Sequence, residues 1–284
     1  MPDKNHQIFS FELFPPKTAE GLEKLKTQVA KLNKVEPRYF SVTYGAGGST
    51  RDRTFATVDW LRSQGIETAP HLSCIGSQHQ EILDILNRYK SQNIKRLVAL
   101  RGDLPSGMGA KDAGDLNYAN ELVTFIRKET GELFHIEVAA YPEIHPQAHT
   151  AQLDLQHFQR KVQAGANAAI TQYFYNADAY FAFRDECTRL NIEVPIIPGI
   201  MPIINYTQLA RFSDACGAEI PRWIRKRLEG YKDDLSAIRA FGHQVVTNLC
   251  QQLLDGEAPG LHFYTMNQAN STLNIWKDLG LKNN

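Results

Sequence analysis

The stretch QIFSFELF, residues Gln7–Phe14, alternates apolar and polar side chains, as a β-strand with two different faces requires. Its apolar residues lie on one face and its polar residues on the other: Phe9, Phe11 and Leu13 against Ser10 and Glu12. This pattern predicts a strand that packs its apolar face on a core. The polar face, with Glu12 near the end of the strand, then points into a different environment.

Seven further short, β-rich runs bounded by turn residues follow along the chain. Helical patterns separate them, with apolar residues three or four apart, as in Leu22, Leu25, Val29 and Leu32. The eight predicted strands are Gln7–Phe14, Arg38–Tyr44, Ile66–Cys74, Ile94–Arg101, Phe134–Tyr141, Asn167–Phe174, Val194–Ile200 and Gly260–Thr265.

Eight alternating strand and helix units in a chain of 284 residues predict an α/β protein with a closed parallel (β/α)8 barrel, a TIM barrel. No linker divides the chain, so residues 1–284 are predicted to form a single catalytic domain. Between strands seven and eight, Pro221–Gly230 and Asp233–Asp255 predict an extra helix and the regular one. A doubly wound open sheet is the main alternative.

Helix boundaries also leave signals in the sequence. Ser49-x-x-Asp52 and Ser77-x-x-Gln80 have the spacing of capping boxes, in which side chains satisfy unpaired amides at a helix start. Gly65 is predicted to end the helix that the first of these begins.

Composition excludes several classes of function. Lys plus Arg equals Asp plus Glu at 31 each, so no positive field favours nucleic acid or an anionic membrane surface. The amino terminus is polar and no apolar run approaches the ~20 residues that span a bilayer, so a cytoplasmic protein is expected. Four scattered cysteines suggest neither a zinc site nor a disulfide framework: Cys74, Cys187, Cys216 and Cys250.

In a barrel the active face lies at the carboxyl ends of the strands. Glu12 is expected there, where a carboxylate is costly to desolvate unless it is paired, and an unpaired one favours the protonated form that a general acid needs. A structural ion pair is the alternative. His71, at the end of strand three, is by itself more typical of a core histidine than of a ligand.

Other polar residues follow the remaining strands. Strand two ends in the small-residue turn Thr43–Gly48, which lacks the G-x-G-x-x-G spacing of dinucleotide sites. Arg101 and Asp103 follow strand four, and Gln172 ends strand six. The helix after strand five carries charged residues on or near one face: Asp154, His157, Arg160 and Lys161. Without metal-ligand spacing or a nucleophile elbow, this mouth suits a planar aromatic cofactor and general acid catalysis.

Six motifs, each at a strand end and together spanning most of the chain, resemble those of the bacterial-type 5,10-methylenetetrahydrofolate reductases. The motifs are Phe11-Glu12-Leu13-Phe14-Pro15-Pro16, Ser41-Val42-Thr43-Tyr44-Gly45-Ala46, Ala69-Pro70-His71-Leu72, Ala99-Leu100-Arg101-Gly102-Asp103, Ala140-Tyr141-Pro142-Glu143 and Ile197-Pro198-Gly199-Ile200.

This resemblance implies a barrel that binds FAD noncovalently, takes hydride from NADH and, in ping-pong order, reduces methylenetetrahydrofolate to the 5-methyltetrahydrofolate used in methionine synthesis. It makes Glu12 the general acid and Asp103 a catalytic residue that contacts the pterin and tunes the flavin. Gln172 and Phe212 match residues that contact both substrates, and Gln208 is a further expected folate contact.

The FAD contacts implied by the resemblance are Thr43, Tyr44, Ala46, His71, Arg101, Gly102, Asp103, Tyr118, Ala119, Tyr141, His145, Ala148, Asp154, His157, Arg160 and Lys161. His157 stands where the family usually has asparagine and keeps hydrogen-bonding capacity. Gln268, a further substrate-binding position, stands where an arginine is usual, so the positive charge expected near the folate is missing there.

The resemblance further implies a homo-oligomer, with a tetramer as the expected form, and the lack of metal-ligand spacing predicts no metal. Because the chain ends soon after the eighth unit, no C-terminal regulatory domain is expected. Two alternatives remain: a proline-dehydrogenase-like flavin barrel, and a catalytically silent folate- or flavin-binding subunit.

Overall fold

A computed structural model describes residues 7–44, 48–102 and 114–281 of the chain. The strands in this part are β1 (Ile8–Leu13), β2 (Tyr39–Val42), β3 (Thr68–Ser73), β4 (Arg96–Leu100), β5 (His135–Ala140), β6 (Ala168–Thr171), β7 (Ile196–Ile197), β8 (Gly199–Ile200) and β9 (Gly260–Tyr264). The helices are α1 (Ala19–Leu32), α2 (Gly48–Ser63), α3 (His79–Ser91), α4 (Ala119–Thr130), α5 (Ala151–Gln163), α6 (Ala177–Arg189), α7 (Tyr206–Cys216), α8 (Arg222–Tyr231), α9 (Leu235–Asp255) and α10 (Ala269–Asp278), with a short 3-10 helix at Asn33–Val35.

All strand pairs are parallel, in the order β7-β6-β5-β4-β3-β2-β1-β9-β8. The strands at the two ends of this order, β7 and β8, are consecutive in the chain, and only Pro198 separates them. They are the two halves of the predicted seventh strand, of which one pairs with β6 and the other with β9. The predicted TIM barrel, a single domain, is therefore confirmed.

Proline has no amide hydrogen, which interrupts the ladder at Pro198 and explains why one predicted strand is observed as two. The Pro198 carbonyl still accepts a bond from the His262 amide at 2.9 Å. The Gly199 amide donates to the Thr171 hydroxyl at 2.9 Å, so a side chain joins strand seven to β6. A side chain at Gly199 would run into the Thr171 carbonyl and the Tyr264 ring, so only glycine fits.

The alternation in the first strand places its apolar residues on the outer core, as predicted. Phe9 and Phe11 face outward, where the Trp276 ring of α10 lies 5.0 and 5.9 Å from theirs between centroids. The main hydrophobic core, to which both rings belong, fills the space between the barrel and the helices. A small second cluster lies inside the barrel: Tyr39, Ala69, Val98 and Ile170. Burial of a large apolar side chain contributes about 2 kcal/mol, so the outer layer supplies most of the stabilisation.

One prediction of local structure was wrong, and one helix was missed. The capping box of the helix after strand three consists of Gln78 and Glu81, one residue beyond the predicted Ser77 and Gln80. The Gln78 amide donates to the Glu81 carboxylate at 3.0 Å. The two helices predicted between strands seven and eight are confirmed as α8 and α9, and a third helix that was not predicted, α7, precedes them. Its start is capped by Asn205, whose side chain accepts from the Gln208 amide at 2.9 Å.

Gly65 ends α2 as predicted, with a φ of +73° that favours glycine. The Ser49 side chain in the predicted first capping box lies outside the described part, so that box stays a prediction. No helix within the described ranges is both long and apolar enough to cross a bilayer.

The barrel interior also holds a buried ion pair. Glu137 on β5 is fully buried and accepts from Arg96 at 2.6 Å and from the Tyr39 hydroxyl at 2.7 Å. Burial raises the pKa of Glu137, and the Arg96 guanidinium opposes that shift. The Arg96 guanidinium also lies 4.7 Å from the centre of the Tyr39 ring. Removing one partner would leave the other charge without compensation in the interior.

We therefore expect Arg96→Met to lower the free energy of unfolding by about 3 kcal/mol, the usual effect of breaking a buried pair from one side. Urea unfolding followed by circular dichroism measures this. Arg88→Met is the matched control, because Arg88 pairs with Asp59 at 2.8 Å on the surface with both side chains about 40% exposed, and should cost less than about 1 kcal/mol. Equal losses in the two variants would contradict a buried pair.

Candidate functional site

Glu12 lies at the carboxyl end of β1 among two buried imidazoles. Its Oε2 is 3.4 Å from His71 Nε2 and 3.6 Å from His262 Nε2, and its side chain is 19% exposed. Neither Nε2 atom has a hydrogen-bond partner among the described residues. Both distances exceed those of a well-formed charge-assisted hydrogen bond. The carboxyl group therefore lies close to two imidazole rings but does not form the tight structural ion pair that was the alternative prediction.

Burial lowers the pKa of His71, and the positive character of His262 acts in the same direction, while Glu12 opposes the shift. His71 is consequently neutral near pH 7. It is a buried core histidine that contacts Glu12, and its expected contact with FAD stays a prediction.

The sequence interpretation missed His262 and Ser10. His262 Nδ1 is hydrogen-bonded to Ser10 Oγ at 2.7 Å, and both side chains are fully buried. The available signal was alternation, because Ser10 shares the inward face of β1 with Glu12, and His262 alternates with the outward residues Leu261 and Phe263. Periodicity could not reveal that the two strands are neighbours.

The loop after β9 holds the end of β1 in place. The Thr265 hydroxyl donates to the Glu12 carbonyl at 2.7 Å. Asn267 accepts from the Phe14 amide at 3.0 Å and donates to the Phe14 carbonyl at 2.8 Å. Met266 and Asn267 both adopt left-handed backbone, at φ values of 52° and 54°. Such a conformation is uncommon for residues other than glycine, and the side-chain bonds of Asn267 stabilise it.

A cleft of about 800 Å³ opens beside the ends of β4 and β5 and the starts of α4 and α5. Most of the predicted cofactor residues line it: Arg101, Gly102, Tyr118, Ala119, Tyr141, His145, Ala148, Asp154, His157, Arg160 and Lys161. It also includes polar residues that the sequence interpretation missed, among them Asn120, Glu121, Gln147 and His149. Their only sequence signal was their position beside the predicted residues.

Three cations surround the cleft. Arg101 donates to the Gln147 side chain at 2.7 Å, Lys161 donates to the Ala139 carbonyl at 2.5 Å, and Arg160 is exposed. Burial lowers the pKa of Lys161 to about 8, and Asp154 opposes that shift. The Asp154 carboxylate accepts from the His145 amide at 2.8 Å, so it fixes the loop after β5. This set of donors suits an anionic ligand.

The turn after β4 approaches β3 closely. Gly102 has a φ of +84°, and a side chain there would collide with the Ser73 hydroxyl. The same hydroxyl donates to the Arg101 carbonyl at 2.8 Å. This contact holds the backbone of Arg101 at the edge of the cleft.

The other predicted residues lie around the same face. The Thr43 amide donates to the Leu13 carbonyl at 2.9 Å, which places the end of β2 beside β1. Burial raises the pKa of Tyr44 in the same loop. Gln172 follows β6, and its neighbour Tyr173 is hydrogen-bonded to Ser213 of α7 at 3.0 Å.

Phe212 and Gln208 lie on α7, which that bond ties to the end of β6, and both are half-buried. Gln268 lies apart from the cleft, at the start of α10, where it lines a second pocket. Ala46 and Asp103 lie outside the described residues. Within the described ranges no group of three His, Cys, Asp or Glu side chains is arranged to hold a metal ion.

Comparison with known proteins identifies related sequences. The sequence model of the family described as methylenetetrahydrofolate reductase matches residues 1–280. A 5,10-methylenetetrahydrofolate reductase of Escherichia coli is 40% identical over 96% of this chain and 90% of its own length. One of Buchnera aphidicola is 41% identical over 96% of this chain and 91% of its own length. A probable NADH-type methylenetetrahydrofolate reductase of Oryza sativa is 39% identical, and the match covers 96% of this chain and 48% of the rice protein.

Among solved structures, an uncharacterized protein from Clostridium thermocellum that binds two copies of 5-methyl-5,6,7,8-tetrahydrofolic acid superposes with a TM-score of 0.70. The match covers 97% of this chain and 96% of that one at 17% identity, so it supports the fold alone.

The contact between Glu12 and His71 has a measurable consequence. The negative charge of Glu12 raises the pKa of His71 against the effect of burial, so Glu12→Gln should lower it further. Histidine ring proton shifts followed by NMR across a pH titration test this. Glu143→Gln, which removes a carboxylate from the loop after β5, is the control and should leave His71 unchanged. An unaltered His71 titration in Glu12→Gln would show that the two groups do not interact.

Proposed function

Because the chain belongs to the methylenetetrahydrofolate reductase family, we propose that it reduces 5,10-methylenetetrahydrofolate to 5-methyltetrahydrofolate with noncovalently bound FAD and NADH, in ping-pong order. The observation that supports this mechanism is the position of Glu12, which lies between two imidazoles on the same barrel face as the 800 Å³ cleft. Membership in this family argues against the alternative of a proline-dehydrogenase-like flavin barrel. A silent subunit would bind these ligands without turnover.

The cleft fits FAD in size and in chemistry. Its volume of about 800 Å³ lies within the range of about 300–1,000 Å³ typical of small-molecule sites. Arg101, Arg160 and Lys161 would hold the diphosphate, and the ring of Tyr118, 57% exposed at the start of α4, offers a face for stacking. When bound, FAD supplies the acceptor for the nicotinamide hydride and the donor of hydride to the folate.

Glu12 would supply the proton. Opening the imidazolidine ring of the substrate breaks a carbon–nitrogen bond, and the leaving nitrogen needs a proton as the electron pair moves onto it. The one-carbon unit is left as an iminium ion, which hydride then reduces to a methyl group.

The remaining residues would bind and orient. Gln172 and Phe212, on elements tied together by Tyr173 and Ser213, would contact folate and nicotinamide in turn, with Gln208 as a further folate contact. Asp103 and Ala46 complete the proposed set. We further propose a cytoplasmic homo-oligomer whose product feeds methionine synthesis.

FAD uptake tests the cofactor assignment. Purified protein should be yellow, and apoprotein should quench FAD fluorescence saturably. Affinity should fall as the pH rises through about 8, the pKa of Lys161, because the deprotonated amine no longer attracts the diphosphate. Lys161→Met should bind FAD about 10-fold more weakly at pH 7 and lose this pH dependence.

Lys128→Met is the matched control, since Lys128 is an exposed lysine on α4 whose side chain is 77% accessible. Folded protein that takes up no FAD would remove the basis of the proposed function. A Lys161→Met variant with the wild-type pH dependence would remove only the role of Lys161.

The role of Glu12 separates the two half-reactions. Glu12→Gln should leave reduction of the flavin by NADH largely intact and slow folate reduction by about 10²- to 10⁴-fold, the usual contribution of a general acid. Stopped-flow absorbance of the flavin under anaerobic conditions measures both rates. Equal losses in both half-reactions would be inconsistent with a general acid.

A further inference from the structure

A line of buried polar side chains crosses the barrel interior on three neighbouring strands. Ser10 of β1 pairs in register with Tyr39 of β2 on one side and with His262 of β9 on the other. These three side chains, the polar line, are at most 2% exposed. Glu137 adjoins the line at Tyr39, and Glu12 adjoins it at His262. The polar line therefore connects a buried carboxylate with the carboxyl group at the mouth.

The end at Glu137 sets the direction of the hydrogen bonds. Arg96, a side chain that stays protonated, donates to Glu137 at 2.6 Å and keeps it a carboxylate. A carboxylate only accepts hydrogen bonds, and the Tyr39 hydroxyl donates to it at 2.7 Å. The single hydroxyl hydrogen of Tyr39 is used in this bond. Its oxygen can therefore only accept a further one.

Ser10 and His262 continue in the same direction. Burial raises the pKa of Tyr39, and a hydrogen bond with the Ser10 side chain opposes that shift, as it does when the serine donates. Ser10 then has no hydrogen left for its other neighbour, His262 Nδ1, which lies 2.7 Å from Ser10 Oγ. Nδ1 must therefore carry a proton and donate it to the serine oxygen.

The other ring nitrogen of His262 faces Glu12. His262 is fully buried, and its Nε2 lies 3.6 Å from Glu12 Oε2, farther than in a charge-assisted hydrogen bond. A second proton on the ring would be a buried charge without a close partner, which is costly. With its one proton on Nδ1, the neutral ring presents the Nε2 lone pair to Glu12.

Two more titratable groups among the described residues face this pair. His71 Nε2 lies 3.4 Å from Glu12 Oε2, and burial leaves that ring neutral. The Tyr264 ring packs edge-on against the His262 ring at 5.3 Å between centroids. Burial raises the pKa of Tyr264, and the charge of Glu12 adds to the shift, so the phenol is also neutral. Neither group places a charge beside Glu12 near pH 7.

We propose that the Glu137 carboxylate, through Tyr39 and Ser10, fixes the tautomer of His262 so that its Nε2 accepts the proton of Glu12. His262 is then a positioning residue, which holds the acid proton on Glu12 until the leaving nitrogen of the folate takes it. This inference rests on the proposed function, in which Glu12 is the general acid. A general acid has to be protonated at the working pH, and a fixed lone pair at Nε2 meets that need.

The tautomer of His262 can be measured directly. Long-range ¹⁵N–¹H correlation spectra of protein labelled with ¹⁵N-histidine distinguish the two neutral tautomers from each other and from the imidazolium. Wild type should carry the His262 proton on Nδ1 at pH 7, and His262→Gln assigns the signal by its loss. A proton on Nε2, or on both nitrogens, would overturn the proposal without any further variant.

Tyr39→Phe interrupts the polar line by removing one oxygen atom. Ser10 loses its acceptor and becomes free to donate to His262 Nδ1, so the ring proton should move to Nε2. Ser10→Ala should also move the proton toward Nε2, because Nδ1 then has no acceptor. Tyr180→Phe is the matched control, since the fully buried Tyr180 hydroxyl donates to a backbone carbonyl in the outer core at 2.8 Å. An unchanged tautomer in both line variants would reject the proposal.

The pH dependence of folate reduction gives a second readout. In Tyr39→Phe the fall of the stopped-flow rate at rising pH should shift to lower pH by up to about one unit, the effect of one hydrogen bond. The rate at neutral pH should then fall about 5- to 10-fold and approach that of wild type at low pH. Reduction of the flavin by NADH should not change. An equal loss at every pH would indicate a structural effect and count against the proposal.

The two measurements separate this inference from the proposed function. A proton on Nδ1 that moves in Tyr39→Phe, in a protein that does not reduce the folate, would retain the polar line and reject the reductase function. Folate reduction by a protein whose His262 carries its proton on Nε2 would retain the function and reject the polar line.

Discussion

Closure of the barrel at Pro198 is the constraint on which the rest of the structure depends. One short strand must pair with β6 through Ile196 and Ile197 and with β9 through Gly199 and Ile200. On its other side β9 pairs with β1, and this pairing places His262 beside Glu12 and the loop after β9 at the end of β1. A sheet opened between β9 and β1 would leave these two strands on separate edges, and His262 would not contact Glu12.

Polar side chains in the barrel interior form two adjoining sets. The first set is Glu137, Arg96 and Tyr39, whose hydrogen bonds compensate a fully buried carboxylate. The second set is Ser10, His262 and Glu12, in which the carboxyl group lies 3.6 Å from His262 Nε2. The sets meet where Ser10 pairs in register with Tyr39 on one side and His262 on the other. The tight contacts of Glu137 suit a structural role, and the looser contacts of Glu12 suit its proposed role as a general acid.

Most of the candidate site follows strand ends, which explains how far the sequence could predict it. Alternation identified Glu12 as inward-facing, and helical spacing placed Asp154, Arg160 and Lys161 together, because both periodicities are local properties of the backbone. The family resemblance added residues such as Tyr118 and Ala148, which neither pattern distinguishes from a solvated surface. His262 was missed because its alternation with Leu261 and Phe263 indicates only which face it occupies, not which strand it meets. Helix α7 was missed because its start is marked only by the Asn205 cap.

By itself, the sequence determined the alternating strands and helices, the barrel class, the inward direction of Glu12 and the motifs that carry the resemblance. Only the tertiary structure decided that His262 meets Ser10 across 252 positions of the chain, that strand seven is divided at Pro198, and that Arg239 and Gln268 line one pocket. Periodicity specifies which face of an element a residue occupies. Which faces meet depends on strand register and barrel closure, and these are set by packing of the whole chain.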